Sequence, residues 1–345
     1  MTEISQPSSY PLTDRLDEAI LVSAAPSQEQ VAKELRIKAR PGWTSRLPPG
    51  LAAFATNPKG MAGVFILLAL ILFSIFGPMM SEYNPNRRAG KPHVMPSYEH
   101  VLGTTRMGKD VFTQLAYGGR VSLAVGFGAG LAAALIGLAV GISAGYFGGR
   151  VDDILTFFVN VVLVLPGLPL IIVIATMVET ASPWVIGVVL AATGWGWSAR
   201  TIRTQTLSLR TREFVLSAEL MGERKWRIIL IEIFPNMLSF FMSGLVLGTI
   251  AATLAEAALE FIGLGDPNAI TWGTMLFWAQ NNLALQSNAW WEIWPPCIAI
   301  MLTGAALVMV NFSVDEITNP QLRSARKIGL IRKFLRSRGR SADVF

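Results

Sequence analysis

"VSLAVGFGAGLAAALIGLAVGISAGYFG", residues 121–148, runs for 28 residues without Asp, Glu, Lys or Arg. A helix that crosses a bilayer needs about 20 apolar residues, and a core helix of a water-soluble domain rarely continues that far uncharged. Five more windows share the property: Met61–Met80, Ile154–Val178, Thr180–Ala199, Ile233–Ala255 and Ile293–Val314, of 20 to 25 residues each. The composition agrees, since the 345 residues are 52% hydrophobic and 15% charged, against about 25% charged in an average soluble domain. The expectation is an all-α integral membrane protein with six transmembrane helices.

Inside the quoted run, Gly137, Gly141 and Gly145 recur every four residues, after Gly126 and Gly130. Small residues on one helix face let a second helix approach closely in lipid, so close packing is the expected use. In the third window Pro166 and Pro169 of "LPGLPL" (165–170) predict a kink. Backbone carbonyls freed by a kink are tolerated in a membrane only against protein or a water-lined cavity, and a translocation path is one such cavity.

The net charge of +6 does not point to nucleic acid, because its distribution follows the membrane. With the N-terminus inside, six spans return the C-terminus inside, and 23 of the 29 Lys and Arg then fall on inner segments. The outer stretch 256–292 has none. This positive-inside bias predicts cytoplasmic termini. The first apolar run is too long and too late for a signal-peptide core, so no cleavable leader is expected.

Chemistry-bearing residues are few. Cys297 is the single cysteine and lies in the last window, which excludes disulfides and thiolate metal sites. His93 and His100 share one loop without a nearby cysteine and read as exposed loop residues rather than a metal pair. No HExxH, no nucleophile elbow and no Walker A motif is present, so neither a membrane enzyme nor a nucleotide site is expected. The spans carry almost no ionisable group. The nearest are Glu256 and Glu260 at the outer end of the fifth, with Asp152 and Asp153 at the inner mouth of the third. An ion-coupled carrier usually buries a carboxylate near the bilayer centre, so a secondary transporter or channel is the more distant reading.

The longest inner interruption, 200–232, contains "TREFVLSAELMG" (211–222) followed by "ERKWRIILIEIFP" (223–235). The first half is a short helix that puts Phe214, Val215, Ala218 and Met221 near one face and ends at Gly222, as helices commonly do. The second half starts a helix that runs to Pro235 and the fifth span. Such a knob has to dock with something soluble or lie on lipid.

This segment resembles the EAA loop of the membrane subunits of bacterial ABC importers: Glu-Ala-Ala, three residues, Gly, then a variable run ending Ile-x-Leu-Pro. Ala218, Gly222 and Pro235 stand at matching places, whereas Leu216, Ser217, Glu232 and Phe234 depart from the pattern. Further blocks resemble the C-type permease of the dipeptide/oligopeptide/nickel branch: "NPKGMAGVFILL" (57–68), "FGPMMSEYNPN" (76–86), "HVLGTTRMGKDVFTQLAYGGRVSLAVG" (100–126), "AGYFGGRVDDIL" (144–155), "EAALEFIGLG" (256–265), "TWGTML" (271–276) and "WWEIWPP" (290–296). They occur in the expected order across about residues 57–323.

The resemblance implies the type I importer permease fold. It divides the chain into an inner tail 1–56, a first helix and outer loop 57–116, a core 117–320 and a basic tail 321–345. It implies a multi-pass protein of the bacterial inner membrane that is not itself an enzyme. The implied partners are a second homologous permease, two ATP-binding cassette ATPases that hold ATP and magnesium, and an extracytoplasmic substrate-binding protein. The 212–222 helix becomes the coupling helix, through Phe214, Val215, Ser217, Ala218, Glu219, Met221 and Gly222. Glu256, Trp195 and Pro166 are candidates for the path or its outer gate, although an interfacial belt is the commoner explanation of Trp195 and Trp197. Peptide is the first-choice cargo, with oligosaccharide and nickel as alternatives.

Overall fold

A computed structural model describes residues 54–55, 57–165, 167–177 and 181–318, and these are helices joined by loops. Helix α1 (Pro58–Met80) starts where Asn57 accepts the Lys59 N–H at 3.1 Å, with proline at the first position, where its missing N–H costs nothing. Helix α2 (Val111–Phe147) has 37 residues, a length of about 55 Å at 1.5 Å per residue. Its N-cap Asp110 accepts the Thr113 N–H at 2.8 Å. Helices α3 (Gly149–Val164), α4 (Gly167–Met177) and α5 (Pro183–Arg210) follow. The short α6 (Glu213–Leu220) leads into α7 (Lys225–Phe261), and α8 (Trp272–Asn281) and α9 (Trp294–Thr318) complete the order.

The glycine stripe of α2 organises the bundle. Gly137 lies against Ser198 and Ala199, Gly141 against Ala199 and Ile202, and Gly145 against Arg203 and Thr206, all on α5. Gly126 and Gly130 lie against Thr253 and Thr249 of α7. One helix thus receives two others along successive parts of its length. The expected close packing is present, and it makes α2 the axis of the fold. Elsewhere α1 and α9 are joined by Asn57 donating to Glu316 Oε2 at 2.8 Å, and α7 and α9 by Ser243 donating to Asp315 Oδ1 at 2.7 Å.

Four helical stretches among the described residues are long and apolar enough to cross a membrane: Pro58–Met80, Val111–Phe147, Lys225–Phe261 and Trp290–Glu316. The third expected span is divided, since α3 has 16 residues and α4 has 11, each short of the bilayer thickness. Pro166, between them, lies outside the described residues. The fourth expected span is the first part of α5, which continues through Arg200 and Arg203 to Arg210. The polar interruption expected from residue 200 therefore begins as helix, and the chain turns only at Thr211.

The helix expected to run to Pro235 and the fifth span is present, and Pro235 does not interrupt it. The stretch Ile228–Ile233 is wound as a π-helix and passes directly into Phe234–Phe261. Proline lacks the N–H for the preceding turn and its ring crowds the carbonyl four residues back. A widened turn just before it removes that conflict and lets α7 run on.

Candidate functional site

Two clusters lie at opposite ends of α2. At its C-terminal end, Ile142 and Tyr146 form a buried apolar seat with Ile202 of α5 and with Ile228, Ile233 and Met237 of α7. Helix α6 drops Val215 and Ala218 into this seat, Val215 with 0% of its surface exposed. The Tyr146 hydroxyl donates to Glu219 Oε1 at 3.0 Å and ties α6 to α2. At the far end of α6 the Gly222 N–H reaches the Glu219 carbonyl at 3.0 Å and the Glu223 N–H reaches that of Ala218 at 3.1 Å. That pair of bonds is a Schellman closure, which needs a left-handed residue, and Gly222 supplies it at φ +75°.

The seat corrects the face read from the sequence. Val215 and Ala218 point into their own chain and are not available to a partner. Phe214 and Met221 point away, joined by Leu216 and Leu220. Leu220 is 89% and Met221 75% exposed. The reason is that α6 is apolar on more than one side, and spacing alone does not say which side its own chain covers. Ser217 and Glu219 are also exposed.

The seat is braced by α3. Arg203 donates to both oxygens of Asp152, at 2.5 and 2.7 Å, and Arg200 donates to Asn160 Oδ1 at 2.8 Å. The hydrogen-bonded Arg203 guanidinium holds the Asp152 carboxyl below its ordinary value, against the opposing effect of burial. A carboxyl so shifted stabilises the fold above its unfolded value and loses that contribution as pH falls through the folded one. Between pH 6 and 9 the clamp stays charged throughout. Asp152→Asn should therefore lower stability by about 1 kcal/mol or less, as expected for a partly exposed pair, equally at both pH values. A thermal unfolding series over that range checks it, and a loss confined to one end would reject the assignment.

At the N-terminal end of α2 the principal element is α8. Its N-cap Thr271 exchanges hydrogen bonds with Thr274 in a capping box. Trp272 is buried, and its Nε1 donates to the Leu115 carbonyl at 3.1 Å. Glu256 and Glu260 of α7 are buried beneath this turn. Glu256 accepts from Ser122 of α2 at 3.2 Å, and Glu260 accepts from Thr271. A cleft beside α8 is lined by Asn86, Lys109, Gln114, Asn268, Trp278 and Glu292.

The two histidines are not exposed loop residues. His100 is buried and its Nδ1 lies 2.9 Å from Asp110 Oδ2, bracing the cap of α2. His93 Nδ1 lies 3.0 Å from Glu292 Oε1. Among the described residues no group of three or more His, Cys, Asp or Glu could hold a metal ion.

Trp195 and Glu256, named together as path candidates, belong to different levels. Ser198, near Trp195, packs on Gly137, and Glu256 bonds Ser122; these α2 positions are about 22 Å apart. Trp195 Nε1 donates to the Ala192 carbonyl at 2.9 Å on its own helix, and Trp197 is largely uncovered. Glu260 was already visible beside Glu256, whereas Tyr146, Ser122 and Thr271, which complete the clusters, come from other elements and carry no local signal.

The order of these elements matches a known family. Residues 137–324, from the middle of α2 through the α6 seat to α9, match the model for the binding-protein-dependent transport system inner membrane component. The chain belongs to that family. Residues 51–96 match the N-terminal transmembrane domain of oligopeptide transport permease C. The chain is 36% identical over 272 residues to the dipeptide transport system permease protein DppC of Bacillus subtilis, covering 77% of this chain and 83% of that protein. It is 30% identical to the oligopeptide transport system permease protein OppC of the same organism over 275 residues, 78% of this chain and 88% of the relative. OppC of Mycobacterium tuberculosis is 30% identical over 281 residues, 79% and 94% of the two chains. The permease is accordingly a multi-pass inner-membrane component of a transport system of the C type.

Proposed function

We propose that this permease forms half of the translocation path of an ATP-driven importer for di- and oligopeptides, with α6 as the helix that couples it to a cytoplasmic ATPase. The observation that carries the coupling role is the two-sided α6. Val215 and Ala218 seat it rigidly in the bundle, and Phe214, Leu216, Leu220 and Met221 present an apolar crest that the chain leaves uncovered. A crest of this kind is worth burying, at about 1.5–3 kcal/mol for each large side chain. Its rigid seat, closed by Gly222, lets a push on the crest move α2, α5 and α7 together.

In this reading six spans place both termini and α6 in the cytoplasm. Residues 1–56 and 321–345 are cytoplasmic tails, 57–116 the first helix and outer loop, and 117–320 the core. A second homologous permease completes the path. Two ATP-binding cassette subunits bind ATP and magnesium and carry out hydrolysis, so the permease itself catalyses nothing. An extracytoplasmic binding protein delivers cargo to the end that carries α8. Peptide cargo rests on the permeases named for dipeptides and oligopeptides to which the chain is similar.

The test is co-purification of this chain with the products of its neighbouring genes, followed by ATPase assays in lipid. Hydrolysis stimulated by a binding protein loaded with peptide is the expected result. Stimulation by an oligosaccharide- or nickel-loaded binding protein would replace the cargo. A stable chain with no ATPase partner would overturn the importer reading.

A further inference from the structure

Glu256 and Glu260 stand one turn apart on α7, with 0% and 1% of their surfaces exposed. Each holds the start of α8 by a different route. Ser122 Oγ donates to Glu256 Oε1 at 3.2 Å and accepts the backbone N–H of Trp272 at 3.2 Å. Thr271, the N-cap of α8, donates to Glu260 Oε2. The contact is close at this turn: a methyl group at Gly273 would come within 2.8 Å of the Ala257 carbonyl oxygen and of Glu260 Cβ.

The remaining oxygens, Glu256 Oε2 and Glu260 Oε1, have no donor within reach, and the two carboxyl groups lie against one another. No Lys, Arg or His is paired with either among the described residues. Two bare carboxylates in contact away from water repel strongly, and each leaves an orphaned acceptor. One hydrogen placed between them turns the contact into a bond and satisfies both oxygens. We propose that Glu256 and Glu260 share a single hydrogen and together form a latch that positions α8 across the end of the bundle. The latch belongs to the fold itself; its consequence for transport rests on the importer reading.

The reporter is a thiol at position 279, introduced as Ala279→Cys in a Cys297→Ser chain within the assembled transporter. Ala279 is on the covered face of α8, 1% exposed, so a water-soluble maleimide should label it slowly. Glu256→Leu or Glu260→Leu should raise the labelling rate by about tenfold or more, since one acid loses its neighbour and α8 loses an anchor. Thr271→Val, which keeps the shape and removes only the donor, should raise it by a smaller factor in a complex whose size-exclusion profile is unchanged. Glu256→Gln and Glu260→Gln should keep the thiol protected, because the amide supplies an N–H to the remaining carboxylate. Protection in both Leu variants would overturn the latch. Gln variants that label as fast as the Leu variants would overturn the shared hydrogen and put a bound cation between two carboxylates. Loss of peptide uptake in the parent with a protected thiol would count against the importer reading and leave the latch standing.

Discussion

Leu220→Glu combined with Met221→Glu should abolish ATP-driven uptake while the permease still inserts and folds. Both side chains are uncovered by their own chain, 89% and 75% exposed, so two carboxylates there cost the free permease little. In a docked complex the same carboxylates would be buried without partners, at a cost of several kcal/mol. Affinity for the ATPase should fall by about a thousandfold or more, since each 1.4 kcal/mol is a factor of ten. The measurement is ATPase co-purification together with thermal unfolding of the permease alone. The expected pair of results is a lost partner and an unchanged unfolding temperature. Ala218→Asp supplies the contrast. Ala218 is buried in the seat with Val215, Tyr146 and Ile228, and a carboxylate there should destabilise the permease itself by about 2–3 kcal/mol. Normal uptake by the double variant would remove α6 from the coupling role.

Gly141→Leu should have the largest effect on folding. A methyl at Gly141 alone would stand 2.7 Å from the Ala199 carbonyl oxygen and 2.8 Å from Ile202 Cβ. The first is backbone and cannot rotate aside, so α2 and α5 must separate, and with them the contacts at Gly137 and Gly145. Overpacking costs 1–3 kcal/mol where a core can adjust; here the expected loss is at least about 3 kcal/mol, with little folded permease recovered in detergent. Gly128→Leu is the control. It lies on the same helix, exposed, with nothing within 4 Å of an added methyl, and should be recovered like the parent. Equal recovery of both variants would show that the stripe does not set the helix separation.

The contrast between these glycines marks what local sequence can and cannot decide. Uncharged runs of 20 residues or more report the membrane directly, because each residue pays its own transfer energy whatever its neighbours do. Gly222 was equally legible as a helix end: left-handed geometry is a property of one residue, and glycine meets it without a Cβ. The family resemblance was readable for the same reason, as blocks of adjacent residues in order.

Pairings between distant elements were not legible. The sequence showed an apolar α6 but not that its own chain covers Val215 and Ala218 and leaves Leu220 and Met221 free, because coverage depends on where α2, α5 and α7 lie. It showed two histidines in a loop but not that Asp110 and Glu292 meet them. It showed a helix leading to Pro235 and the fifth span but not the π-turn that accommodates the proline. Glu256 and Glu260 were visible one turn apart, whereas Ser122 and Thr271, which make them an anchor for α8, come from 134 residues before Glu256 and 11 after Glu260. The sequence by itself determined the solvent of this protein, its all-helical class and its family. Only the tertiary structure decided which face of each helix is spent on the bundle and which is left for a partner, because burial is a property of the assembled helices and not of any one of them.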